Sequence, residues 1–112
     1  MSSLTERLAV CSWSLQPSSA DDLLDKLIQT GLARMQCALK PLRENPEDAW
    51  TGFAEKCSGR GVQLVSGMIE TIGEDYSTLE SIKRTGGVVP DEFWDDNWRN
   101  IQRDVEIARE LG

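Results

Sequence analysis

The sequence predicts an α/β protein built on a parallel β-sheet. Three observations carry this prediction. Strand-like apolar runs begin near Leu8, Ala33 and Val62. Each is followed by a segment whose apolar residues recur at helical spacing. The strand starts lie about 25–30 residues apart, the span of a strand, a crossover helix and the return to a parallel strand. At 112 residues the chain has the length of one domain, 1–112.

The first strand is read from RLAVCSWSL, where Leu8 to Cys11 form the unbroken apolar run of a strand buried on both faces. PSSADDLLDKLIQTG then predicts a helix. Ser18 or Ser19 is the N-cap, and Asp21 and Asp22 fall in the first turn, where the helix dipole favours negative charge. Ala20, Leu23, Leu24, Leu27 and Ile28 share one face, and Gly31 is a natural stop.

In the second unit, Ala33, Met35, Cys37 and Leu39 alternate with Arg34, Gln36 and Ala38, as a strand requires. KPLRENPED reads as a loop. Asn45 before Pro46 resembles a cap followed by a helix-opening proline, and Trp50, Phe53, Ala54 and Cys57 share the face of the helix that follows. Gly59 or Gly61 closes that helix. VQLVSGMIET supplies the third strand through Val62, Leu64, Val65, Met68 and Ile69.

A long connection, Gly73 to Glu92, comes next, with a helical turn expected within DYSTLESIKRT. Connections in such units usually span about 2–6 residues. The last helix is PDEFWDDNWRNIQRDVEIAREL. Trp94, Trp98, Ile101, Val105 and Ala108 form its apolar stripe, with Leu111 beside it and Gly112 at its end.

Composition removes several function classes. The net charge is -7 and the pI about 4.5, which argues against nucleic acid and against anionic membrane surfaces, both of which attract a basic face. No apolar stretch approaches the roughly 18 residues of a membrane helix, and MSSLTERLAV lacks the features of a secretory signal. Cys11, Cys37 and Cys57 form no C-x-x-C pair, which suits a reducing compartment and makes the cytoplasm the expected location. The chain has no histidine. A Ser-His-Asp triad, a Cys-His dyad and a His-based zinc site are therefore excluded within it.

Two completions of the sheet are open: a doubly wound open sheet or a β/α barrel. The chain ends at ARELG, where a βα unit finishes and another strand is due. Three parallel strands leave edges and faces that need cover, so the expectation is three consecutive βα units of a (β/α)8 barrel, truncated after the third helix.

LAVCSWSLQP, GLARMQCALKPL and SGMIETIGEDYSTLESIKRTGGVVPDEFW together resemble the sugar phosphate isomerase/epimerase family, the xylose-isomerase-like TIM barrels. The resemblance runs from Leu8 to Gly112, and GEDYSTLESI, RTGG and VPDE are its most distinctive parts. It implies a barrel with a divalent metal (Mn, Mg, Co or Zn) at the C-terminal mouth. It also implies a sugar or sugar phosphate substrate, and proton transfer by two glutamates next to a carbonyl through an enediolate-like intermediate. The metal ligands of the family come from later strands, so no metal and no catalytic residue is expected in this segment. The segment alone is expected to be inactive. Gln36 stands where many members carry a glutamate in the second strand.

Barrel active sites lie at the C-terminal ends of strands. Trp13 either stacks on a sugar face or packs between strand and helix. Lys40 either holds a phosphate or carboxylate or is solvated at a loop start. Glu70 either bonds sugar hydroxyls or is a rim carboxylate in water. Glu74 and Asp75 either reach the pocket rim or bond the amides of their own loop. Lys83 and Arg84 are expected at a solvated helix end, and Gly86 and Gly87 at a turn with positive φ. Trp94 and Trp98, one turn apart, are either a stacking site or core. The cysteines read as small buried apolar residues. The second reading of the whole chain is a small non-catalytic α/β binding or assembly module, complete as given. An exposed sheet edge would leave room for an oligomer.

Overall fold

The computed structural model describes residues 4–88 and 90–112; residues 1–3 and Val89, the first residue of the VPDE stretch, lie outside the described residues. The architecture is α/β. Strands β1 (Val10–Cys11), β2 (Arg34–Ala38) and β3 (Gln63–Met68) form a parallel sheet in the order β1-β2-β3. The α-helices among the described residues are α1 (Ala20–Gln29), α2 (Lys40–Glu44), α3 (Phe53–Gly59), α4 (Leu79–Thr85) and α5 (Trp94–Leu111). No helix among them is long and apolar enough to cross a membrane.

β1 is shorter than its sequence suggests. Leu8 and Ala9 are exposed, and the chain turns into a 3-10 segment, Ser12–Leu15, as soon as the strand ends. β1 is an edge strand, so the apolar run is not buried on both faces. Ser12 is nevertheless buried, because its hydroxyl accepts a hydrogen bond from the Ala38 amide at 2.8 Å. That bond ties the end of β1 to the end of β2.

α1 follows its sequence signals closely. Ser19 is the cap: its hydroxyl oxygen accepts from the Asp22 amide at 3.0 Å. Ala20, Leu23, Leu24 and Leu27 are fully buried, each leucine worth about 1.5–3 kcal/mol of transfer free energy. Ile28 is 54% exposed, at the margin of the face rather than in it. Ser19→Ala is expected to cost about 1 kcal/mol, read as a lower urea midpoint with an unchanged slope.

Met35 and Cys37 of β2 face these leucines together with Trp50, Phe53 and Cys57, which makes one core between the sheet and its helices. Ala33, expected inside, is exposed before the strand begins, and Ala38, expected outside, is buried. Between β2 and β3 the register jumps from Met35–Leu64 to Gln36–Ser66, which leaves Val65 as a bulge. On the sheet face away from the core, the Cys11 thiol donates to Met68 Sδ at 3.2 Å. β3 is largely exposed, Val65 and Ile69 included, as a strand with a free edge must be.

The stretch read as a loop, KPLRENPED, instead opens with α2. Asn45 then adopts the left-handed conformation (φ 40°) and Pro46–Asp48 form a 3-10 turn. Asn45 does not cap a helix; its Oδ1 accepts from the Trp50 amide at 2.7 Å and so sets that tryptophan into the core. The helix proper starts later, at Phe53, and Gly61 (φ 68°) supplies the left-handed exit after it.

α5 departs most from expectation. Its apolar stripe is not the core face: Trp94, Trp98 and Val105 are 45%, 46% and 55% exposed, Ala108 is exposed and Ile101 half-buried. The buried face carries Asn97, Asp104 and Ile107, with Leu111 partly packed. Specific polar bonds set this rotation. Arg43 Nη1 donates to both carboxylate oxygens of Asp104 at 2.7 Å, and Asn97 Oδ1 accepts from the Ile72 amide at 2.9 Å.

Candidate functional site

The long connection is folded upon itself and pinned at both ends. Gly73 sits at φ 80°, and a Cβ there would lie 2.8 Å from the Phe93 ring, so the chain and the ring meet where only glycine fits. The Asn97 bond to Ile72 clamps the same end. In the middle, Thr78 and Ser81 form a reciprocal capping box at the start of α4. The Asp75 amide donates to Thr85 Oγ1 at 2.8 Å and the Ser77 amide to Asp75 Oδ1 at 2.9 Å. Of the glycine pair, only Gly87 has positive φ (66°); Gly86 is ordinary in φ but leaves no room for a Cβ beside the Ile82 carbonyl. Lys83 and Arg84 are exposed at the end of α4.

Glu74 belongs to this internal network. Its carboxylate accepts hydrogen bonds from the hydroxyls of Thr71 and Tyr76. These bonds, Thr71 first, hold its pKa below the ordinary 4.5, and the bond to Glu74 raises that of Tyr76. A carboxyl whose folded pKa is depressed stabilises the fold above its unfolded pKa and loses that contribution as pH falls through the folded value. Asp75 shifts in the same direction through Ser77. The connection is therefore expected to loosen below about pH 4 while the core persists. Hydrogen exchange at the Thr71 and Ser77 amides checks this: they should accelerate in acid before the amides of β2 do.

The ends of the three strands converge on two adjoining clefts. The first, of about 370 Å³, is lined by Ser12, Trp13 and Gln16 after β1, by Lys40 and Glu44 of α2, by Trp50 and by Glu70 after β3. The second, of about 300 Å³, continues past the same Lys40, Glu44 and Glu70 to Arg43, Thr71, Glu74 and Asn100. Trp13, Lys40, Glu70 and Glu74, far apart in sequence, are thus neighbours around one continuous depression. Trp13 is 48% exposed, its ring open to the cleft rather than packed between strand and helix. Lys40 Nζ pairs with Glu70 Oε1 at 3.2 Å, both side chains being more than a third exposed. Such a pair contributes about 0–1 kcal/mol, so both groups can change partners at little cost.

Glu44, Trp50 and Arg43 were not singled out from sequence. Their common origin is α2, hidden because KPLREN reads as a loop; Pro41 in the first turn of a short helix is the signal that marks it. Trp94 and Trp98 stack on each other, with centroids 5.8 Å apart and planes 15° apart, on the outer side of α5 and outside both clefts. Burial pushes the Cys37 thiol up to about 12, with Cys57 nearby adding to the effect, and the Cys57 thiol up to about 11. Both stay protonated at neutral pH and are not poised as nucleophiles.

The residues present do not fit a metal centre. Among the described residues no three Asp, Glu or Cys side chains gather where they could hold an ion. The nearest carboxylates are engaged elsewhere, Glu70 by Lys40 and Glu74 by Thr71 and Tyr76. What the arrangement can do is bind: an aromatic face, an ammonium and carboxylates surround a small open cleft. Comparison of the chain with protein-family models, curated proteins and solved structures finds no match.

Proposed function

We propose that the chain forms the first three βα units of a sugar phosphate isomerase/epimerase-type (β/α)8 barrel and supplies one side of its substrate cleft. The observation that carries this reading is the convergence of Trp13, Lys40 and Glu70 at the C-terminal ends of three consecutive parallel strands. Trp13 offers its ring to the C–H face of a sugar. Lys40 offers a point charge to a phosphate, and Glu70 accepts from hydroxyls. Glu74 does not contact substrate in this reading; it holds the connection that forms the rim.

The chain's own part is to bind and orient. The acid–base groups and the divalent metal of the implied isomerisation come from strands other than these three, so this chain alone should not interconvert aldose and ketose.

Tryptophan fluorescence during titration with a ketose phosphate tests the reading. A saturable change with a millimolar dissociation constant, about -4 kcal/mol, is expected. Lys40→Met should weaken binding of the phosphate about tenfold and barely affect the unphosphorylated sugar. Lys40→Met should also leave stability within about 1 kcal/mol, because its ion pair is exposed. No saturable change, or turnover by the isolated chain, contradicts the proposal.

A further inference from the structure

α5 is amphipathic twice over. One flank meets α3, where Arg103, Ile107 and Glu110 line a cleft against Trp50, Phe53 and Glu55. The underside meets the sheet, where Ala108 and Leu111 lie over Leu64 and Val65 of β3. The flank turned away from α3 carries Trp94, Trp98, Ile101 and Val105, at the one-turn spacing of a packing stripe, beside the free edge of β3. We infer that this flank is the interface of a symmetric dimer, in which α5 packs antiparallel against α5 of a second copy.

The stripe is self-complementary about its middle. An antiparallel pairing centred near Ile101 sets Trp94 against Ala108 of the second copy and Trp98 against Val105, large against small at both ends. The charges beside the stripe match in the same register. Asp95 and Arg109 both lie on its solvent side, both are exposed, and neither forms an ion pair among the described residues, whereas Arg99 and Arg103 are taken up by Asp96, Glu106 and Glu110. The twofold brings Asp95 of each copy opposite Arg109 of the other. It also turns the two free β3 edges toward the same junction. A second copy fits better than a basic partner, because the stripe carries both signs of charge in the order its own reversal needs.

Sedimentation equilibrium of the 112-residue chain tests this. The wild type should be a reversible dimer at micromolar concentration. Trp98→Asp should weaken it at least about a hundredfold, while circular dichroism stays unchanged because Trp98 lies outside the core. Asp95→Arg and Arg109→Asp should each weaken it about tenfold, and the two together should restore it to near the wild-type constant. A wild-type chain that stays monomeric or forms open-ended aggregates overturns the inference. So does a double variant no tighter than the singles, since the contact would then lie elsewhere or in another register.

Discussion

Asp104→Ala is expected to destabilise the fold by about 3–5 kcal/mol, a large share of the roughly 5–15 kcal/mol that holds a domain of this kind together. Asp104 is fully buried and Arg43 nearly so, with side-chain exposures of 0% and 13%. One guanidinium nitrogen serves both carboxylate oxygens at 2.7 Å. Removing the carboxylate leaves a guanidinium half inside the protein with no counter-charge, and desolvation dominates the loss. The pair links α2 to α5, so its loss frees the helix that closes the outer side of the core. Chemical denaturation reads the cost. The double variant Arg43→Met, Asp104→Leu separates the causes. It removes both charges and refills the space, and it should recover most of the stability. If the double variant is as unstable as Asp104→Ala, packing rather than charge governs the site.

Phe53→Ala is expected to cost about 3–5 kcal/mol as well, here through a cavity. Phe53 is 2% exposed within the main core, and its ring meets that of Trp50 edge-on, with centroids 5.6 Å apart and planes at 60°. The aromatic contact supplies about 0.5–1.5 kcal/mol of the loss, and the rest comes from transfer and unfilled volume. The consequence reaches the cleft, because Trp50 is one of its walls. Without Phe53 behind it, Trp50 keeps only the Asn45 bond to its amide. The near-ultraviolet dichroism of the tryptophans should weaken and sugar phosphate binding should fall with it. Phe53→Leu, which keeps most of the volume, should cost under about 1.5 kcal/mol and preserve binding.

Where the chain decides its structure locally, the sequence could be read. The α1 cap, the four buried residues behind it, the βα order and the helical turn inside the long connection all follow from neighbours a few residues apart. The four rim residues were legible for the same reason: the strand order places them, whatever their side chains do. Trp13 took the open position and Glu74 the structural one, a choice made by Tyr76 and Thr71 rather than by spacing. The rotation of α5 was not legible. An apolar stripe announces that a helix packs, not what it packs on, and the most apolar face lost to Asn97 and Asp104. Those two residues are buried only because Ile72 and Arg43, respectively 25 and 61 positions away, supply partners. α2 was missed because five residues are too few for periodicity to speak.

The central claim is that the ends of β1, β2 and β3 form a sugar-binding cleft. Backbone-amide resonance shifts during titration of the chain with a ketose phosphate test it most directly. The account predicts saturable shifts confined to Ser12–Gln16, Lys40–Glu44 and Glu70–Thr71, and weakened by both Trp13→Ala and Lys40→Met. Shifts that cluster instead on the outer side of α5, or that are unaltered by both substitutions, would contradict it.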